Sequence, residues 1–403
     1  MVLEKRYLKW GNLCGKCNTC HQVDYHKIGE PLPICPSGSR FGYEAYFSSG
    51  KMEIVRALAA GEIEEPSERL LHIIYACTVC GGCTMQCKGV TTPGTPEKGI
   101  DSVDAFERVR REMVELGWGP LPIHKTIAEN IESENNAYGG PKSERVTGLA
   151  KDLPEKGKIV YFIGCTSAYR RTELTEATVK ILKASGLDVA VMRDEKCCGS
   201  PLLRTGQVPQ AVELAAHNLN ALKAAGAEKV VFSCAGCYRT FMQDYPKLIG
   251  EDLNVELVHI SDLILDLIKD GKIKPTKEIK KLVTYHDPCH IGRHLCEGLL
   301  DKNPQCIYEQ PREVIKSIPG LELVEMKRNR ENAWCCGSGG GVKSAFPEFA
   351  VWTAKERIDE AKETGAEALV TSCPFCVTNL RDGAEGEMDV YDIVELIAES
   401  IEE

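Results

Sequence analysis

The chain from residue 158 to residue 403 carries the same ordered phrase twice. A segment that repeats its landmarks in order has to fold them twice and stack the copies. Each copy opens with an apolar run that ends in cysteine, Lys158 to Cys165 and Lys281 to Cys289. Each continues to a vicinal pair, Cys197-Cys198-Gly199-Ser200 and Cys335-Cys336-Gly337-Ser338. Each then has a helix pattern ending in Gly-Ala-Glu, at Gly226 to Glu228 and Gly365 to Glu367. A second apolar run follows and ends in Ser-Cys-x-x-Cys, at Cys234 and Cys237 and again at Cys373 and Cys376. Both copies close on an amphipathic helix expected to begin at Asp262 or Asp392. Pro374, inside the second C-x-x-C, is the departure from the match. Order is shared as well as composition, so a duplication and a pseudo-twofold pair of subdomains are expected.

Within a copy, strand and helix patterns alternate. Leu174, Ala177, Ile181 and Leu182 keep one face of a helix that stops at Gly186. Ala211, Leu214, Ala215, Leu219 and Leu222 repeat the pattern. Short apolar strands between such helices predict an α/β region with parallel sheets covered on both faces. The cysteines follow the strands, where open α/β sheets build their sites. Four segments are expected: a cysteine-rich block over 1–118, a helical linker over 119–157, and the copies over 158–275 and 276–403. The linker holds no cysteine and reads as a helix around His124 to Glu132, then a Gly-Pro loop.

The chain has 20 cysteines, and 18 of them fall in motifs. A secreted disulfide scaffold is excluded by length, by the missing apolar export segment and by the C-x-x-C spacing. The net charge of −10 excludes a general nucleic-acid binder, which needs a basic stripe. No stretch approaches a membrane span. A cytoplasmic protein is expected, reaching a membrane only through a partner subunit.

In the first block, Cys77, Cys80, Cys83 and Cys87 form C-x2-C-x2-C-x3-C, the bacterial ferredoxin run. In such runs the fourth cysteine ligates the other cluster. Cys14, Cys17 and Cys20 repeat the spacing, with the fourth member delayed to Cys35 and followed by Pro36. Lys88 stands where the second run would have its proline. The expected sets are Cys14, Cys17, Cys20 and Cys87 on one cubane 4Fe–4S cluster, and Cys77, Cys80, Cys83 and Cys35 on another, in a small α-rich ferredoxin-type domain. A pair of zinc sites is the alternative, but zinc takes two C-x-x-C knuckles rather than triple runs.

Five cysteines per copy exceed what one cubane or one zinc ion needs. Adjacent cysteines suit a single ion poorly, because successive side chains in extended backbone point apart. An opened cluster bridged by thiolates can use five.

This pattern resembles the CCG domain. With a ferredoxin domain in front, the chain resembles the D-type catalytic subunit of heterodisulfide reductase. The resemblance covers all three cysteine-bearing blocks. It implies one noncubane 4Fe–4S cluster on Cys165, Cys197, Cys198, Cys234 and Cys237, and a second on Cys289, Cys335, Cys336, Cys373 and Cys376. It also implies a small-molecule disulfide between them, coenzyme M linked to coenzyme B in the methanogen-like case. Cutting a disulfide takes two electrons. Two clusters flanking the bond avoid a free thiyl radical, and the cubanes refill them. The expected partners are other redox subunits: a membrane cytochrome b, or a flavoprotein or hydrogenase-type electron donor. The alternative is an electron-transfer subunit of a flavin-linked lactate, glycolate or glycerol-3-phosphate dehydrogenase, passing electrons toward quinone. A relay needs no second open cluster, so the complete duplicate favours the reductase.

No flavin or nucleotide fingerprint occurs. Gly199 and Gly337 to Gly341 are read as letting backbone approach a cluster or substrate. His286, Asp287 and His290 are candidates for proton relay or cluster tuning. Arg239, Arg293 and Lys343 are read either as anion-binding or as surface charge. Cys296 and Cys306 lie outside every motif and are read as buried free thiols.

Overall fold

The computed structural model describes residues 5–87, 100–296 and 305–402. In the first apolar run, Val160 and Phe162 enter one core cluster, while Tyr161 and Ile163 enter another. Successive side chains of a strand point to opposite faces, so this run is covered on both sides. It forms β1 (Ile159–Phe162). With β2 (Val189–Val191), β3 (Lys229–Phe232) and β4 (Glu256–His259) it builds a parallel sheet of order β2-β1-β3-β4. The second copy builds β5 (Lys281–Tyr285), β6 (Leu321–Leu323), β7 (Ala368–Thr371) and β8 (Asp389–Asp392), all parallel, in the matching order β6-β5-β7-β8. In each sheet the chain leaves the first strand to one side and returns to its other side. The loops after β1 and β3, and after β5 and β7, therefore diverge and open a crevice at the carboxyl ends.

The sheets share their cores. Val191 and Val283 sit in one cluster, Phe232 and Leu369 in the other. The helix Thr172–Ala184 buries Leu174, Ile181 and Leu182 and is followed by Gly186 at φ +70°. The helix Val208–Ala225 buries Ala211, Leu214, Ala215 and Leu222.

The first closing helix begins otherwise than expected, and the second is led by Asp392 as expected. The first starts at Ile260, and His259 caps it by accepting the Ser261 N–H on Nδ1 at 3.4 Å. The second starts at Ile393, with Asp392 as the cap inside a capping box with Glu395. Asp262 is left in the first turn, where one carboxylate oxygen is buried without a partner. Burial, and then Asp266, push its carboxyl up to about 7. The folded state thus binds a proton that the unfolded chain releases near the ordinary carboxylate value. Stability from this residue is present below that value and is lost as pH rises toward 7. Asp262→Asn is expected to raise the denaturant midpoint at pH 8 and to leave it nearly unchanged at pH 4. Equal midpoint changes at both pH values would refute the assignment.

Before Lys158, every named element among the described residues is a helix. Helices Lys5–Leu13, Ser48–Ala59, Glu68–Tyr75 and Ser102–Glu115 close over Met52, Val55, Phe106, Val109 and Met113. The linker helix spans Pro122–Glu134 and stops at Asn135 in the left-handed region.

Arg110 joins this block to both copies. It is fully buried, and its guanidinium donates to the carbonyls of Ile74 (2.7 Å), Cys77 (2.7 Å), Arg204 (2.7 Å) and Gly340 (2.9 Å). The glycine run makes this fit possible. Gly340 has φ +63°, and a Cβ there would stand 2.5 Å from the Cys77 carbonyl oxygen. The run beyond Gly337 therefore seats the N-terminal cysteine loop. A buried carbonyl left unpaired costs about 1–3 kcal/mol. Arg110→Met is expected to lower the unfolding midpoint and to split off an early calorimetric transition for the N-terminal block. A melting profile identical to that of the native protein would contradict this.

Candidate metal centres and their surroundings

Cys165 opens a short helix directly after β1, and Gly164 before it adopts φ +76°. A Cβ on Gly164 would lie 3.1 Å from the Cys237 sulfur, so the glycine lets the β1 loop and the C-x-x-C turn close on each other. Cys234 caps the helix Ala235–Arg239 after β3, and Cys197 and Cys198 lead into the helix Ser200–Thr205. A π-turn follows at Thr240–Asp244, a distortion found most often at functional sites.

The thiols of both copies stand in one file. In the first copy, thiols that act on one another in turn run Cys165, Cys197, Cys198, Cys237, Cys234. Cys234 then meets Cys373 of the second copy. The file goes on through Cys376, Cys336 and Cys335, with Cys376 Sγ 3.3 Å from Cys336 Sγ. It ends on Cys80 of the N-terminal block. Cys289 stands beside the file, near Cys336 and Arg293. Contact between equivalent residues, Cys234 and Cys373, is what a pseudo-twofold pairing produces.

Eight of the ten motif thiols are buried, Cys165 and Cys289 only partly. Burial raises Cys289 far above the usual thiol range, and Cys165 is raised by its contact with Cys197 and by burial. Such adjacent thiols become thiolates together only with a metal to take the charge. The donor set is soft sulfur, which suits iron–sulfur clusters. The residues present fit that group.

In the N-terminal block the insert between Cys20 and Cys35 folds back on itself. Val23 N–H donates to Leu32 at 2.8 Å and Ile34 N–H to His21 at 3.0 Å, so Cys35 returns beside Cys20. Cys35 feels Cys77, and Cys83 feels Cys35, Cys80 and Cys77. Cys14 feels Cys87 and Cys17. Lys51, buried under Tyr46 and Ser37, adds a cation beside Cys35. Cys17 is the exposed member of the block. Lys88 lies outside the described residues.

Several surrounding residues differ from expectation. Asp287 is held by Arg312 at 2.6 and 3.0 Å and by the Arg330 N–H at 2.8 Å, so both of its oxygens are engaged in holding the β5 loop. His286 accepts from Arg357 Nε at 3.2 Å on Nδ1, which leaves its Nε2–H for Cys336. His290 and His294 share a 4.8 Å neighbourhood with Cys289. Arg239 and Arg293 are not surface charges. Arg239 is buried against Glu107 (3.6 Å) and Asp244 (3.4 Å), and Arg293 donates to the Ala333 carbonyl at 2.6 Å. Lys343 is tied to Asp382 and Asn379. Cys296 and Cys306 are not free thiols but are disulfide-bonded. The Ile307 N–H to Ile291 hydrogen bond at 2.8 Å draws their segments together, and the Cα atoms of the two cysteines stand 5.4 Å apart, within bridging reach.

Sequence reading missed Glu195. It is wholly buried and accepts from Ile163 N–H (2.8 Å), Gly164 N–H (2.9 Å) and Arg145 Nη1 (2.7 Å). Arg145 in turn donates to Cys165 at 3.5 Å. Its position two residues before the vicinal pair was the available signal. Removing one partner of a buried ion pair costs about 3–5 kcal/mol. Glu195→Ala is expected to lower the unfolding midpoint and to release iron from the first copy before the second. Retention of full iron with an unchanged midpoint would show the pair to be dispensable.

The family model described as "CCG: Cysteine-rich domain" matches residues 159–242 and 283–381. Fold and thiols together define a duplicated cysteine-rich, iron–sulfur redox protein. The D-type subunit of dihydromethanophenazine:CoB–CoM heterodisulfide reductase from Methanosarcina acetivorans is 37% identical over 402 residues, covering 96% of this chain and 93% of that one. The B-type subunit of fumarate reductase (CoM/CoB) from Methanothermobacter marburgensis is 35% identical, covering 84% of this chain and 62% of that one. The EtfAB:quinone oxidoreductase of Syntrophomonas wolfei is 28% identical, covering 87% of this chain and 51% of that one. The chain belongs to the family of heterodisulfide reductase D-type subunits. No helix among the described residues is long and apolar enough to cross a membrane.

Proposed function

We propose that this chain is the disulfide-cleaving subunit of a multi-subunit iron–sulfur reductase. The observation that carries the reading is the contact of Cys234 with Cys373, which joins two complete motifs at one seam. Cys165, Cys197, Cys198, Cys234 and Cys237 hold one noncubane 4Fe–4S cluster, and Cys289, Cys335, Cys336, Cys373 and Cys376 the other. Cys14, Cys17, Cys20 and Cys87 hold one cubane, and Cys35, Cys77, Cys80 and Cys83 the second. When bound, such centres supply electrons singly, so a facing pair matches the two that a disulfide takes up. The protein's part is to hold the motifs in register and keep water out. His286 directs an N–H at the Cys336 sulfur, and Arg145 directs one at Cys165. The substrate is a small-molecule disulfide. The mixed disulfide of coenzymes M and B is the first candidate, on the printed names of the relatives. The electron supply is a redox partner subunit, a flavoprotein, a hydrogenase-type donor or a membrane cytochrome b.

The quinone oxidoreductase relative supports a second reading, an electron relay from a flavoprotein toward quinone. One assay separates the two. The iron-loaded chain is reduced with a viologen and given candidate disulfides, and thiol release is followed. The reductase reading expects two thiols per disulfide, abolished in Cys198→Ala while the N-terminal centres still take up electrons. Absence of thiol release with every disulfide, together with rapid reduction by a flavoprotein, would establish the relay instead.

A further inference from the structure

None of the four residues after the first cysteine is shared between the copies, and the fourth differs in charge. The first copy has Tyr169, the second Arg293. Arg293 is 5% exposed. Its Nη1 donates to the carbonyls of Ala333 (2.6 Å) and Glu331 (3.4 Å), and its Nε is buried without a partner. Among the described residues its hydrogen-bond acceptors are these two carbonyls, and none is a carboxylate. Its Nη1 lies 3.3 Å from where a Cβ on Gly82 would stand, at the turn between Cys80 and Cys83, and its charge bears on Cys80, Cys289 and Cys335. Those are a thiol of the N-terminal block and two thiols of the second motif, and Cys80 touches Cys335. The other end of the thiol file is different. There Arg145 faces Cys165, but Glu195 at 2.7 Å neutralises it.

An unpaired buried cation acts at low dielectric and favours the more negative, reduced state of whatever those sulfurs hold. A neutralised one does so much less. We infer that electrons reach the paired motifs through the second half first, across Cys80 and Cys335, and that Arg293 is the positioning residue that draws them there. One electron leaves the Cys80 side and one arrives at the Cys335 side. The supply is an external one-electron carrier, reduced viologen in the test. The inference rests on the iron–sulfur reading above, but not on the identity of any substrate.

The test uses the iron-loaded full chain and needs no disulfide. Redox titrations followed by electron paramagnetic resonance compare the native protein with Arg293→Gln and Arg293→Lys. Signals are assigned to the motifs by their loss in Cys198→Ala or Cys336→Ala. In Arg293→Gln the reduced-to-oxidised ratio of the second-motif signal, at fixed potential, is expected to fall about tenfold, equivalent to about 59 mV for one electron. The first-motif signal is expected to hold, and Arg293→Lys to restore most of the loss. Equal shifts in both signals, or none with iron retained, would overturn the inference. Rapid mixing of the native protein with reduced viologen gives a second measurement that stands even if Arg293→Gln loses iron. The second-motif signal is expected to rise before the first, and the opposite order overturns the inference. Motifs that bind no iron at all would remove the cluster reading, and this inference with it.

Discussion

A guanidinium with no carboxylate among its hydrogen-bond acceptors holds the three parts of this protein together. Arg110 directs its N–H groups at backbone carbonyls from the N-terminal block and from both copies. A buried cation costs least when its donors are satisfied, and here each acceptor comes from a segment that must be correctly placed to supply it. The arrangement therefore acts as a check on assembly. If the glycine run moved by an ångström or two, the acceptor from the second copy would be lost. Because Cys77 lends its carbonyl to Arg110, the same contact fixes the first cysteine of the ferredoxin-like run against the second copy.

The two copies keep the same sheet order and differ in how they handle charge. In the first, Glu195 neutralises Arg145 and ties down the turn that carries Cys165. In the second, Asp287 is spent on Arg312, His286 faces Cys336 as a neutral donor, and Arg293 keeps its charge beside Cys289 and Cys335. Strand pairing and core burial maintain the shared fold, and both cores run through both sheets. Changes around the thiols alter the field without disturbing that packing. Duplication thus supplied two similar cages, and substitution at a few buried positions made them electrically unlike.

Much of this was legible residue by residue. The helix over Leu174 to Leu182 and the one over Ala211 to Leu222 follow from their apolar spacing, and the strands from short runs such as Val160 to Phe162. The helix starting at Ile260 was displaced by two residues, because a histidine ring nitrogen took the capping role usually sought in Asp or Ser. Arg239 and Arg293 were open to two readings, anion-binding or surface charge, because a basic residue is usually solvated. Packing against the N-terminal block made them otherwise, Arg239 beside Glu107 and Arg293 beside Gly82. Glu195, Lys51 and Arg110 carry no periodic signal that separates a buried ion from an exposed one. Cys296 and Cys306 belong to no motif, and only the backbone pairing of Ile291 with Ile307 shows why they meet.

By itself the sequence determined which cysteines fall in motifs, that they come in two N-terminal runs and two five-membered sets, and that each set follows the ends of strands. Those properties depend on spacing and on strand and helix periods, which are local. Only the tertiary structure decided that Cys234 meets Cys373, that Cys80 meets Cys335, and that Arg110 and Arg293 are desolvated at the junctions. Contacts between segments far apart along the chain are set by how finished sheets and helices pack. The electrostatic role of a charged side chain is settled only when that packing removes its water.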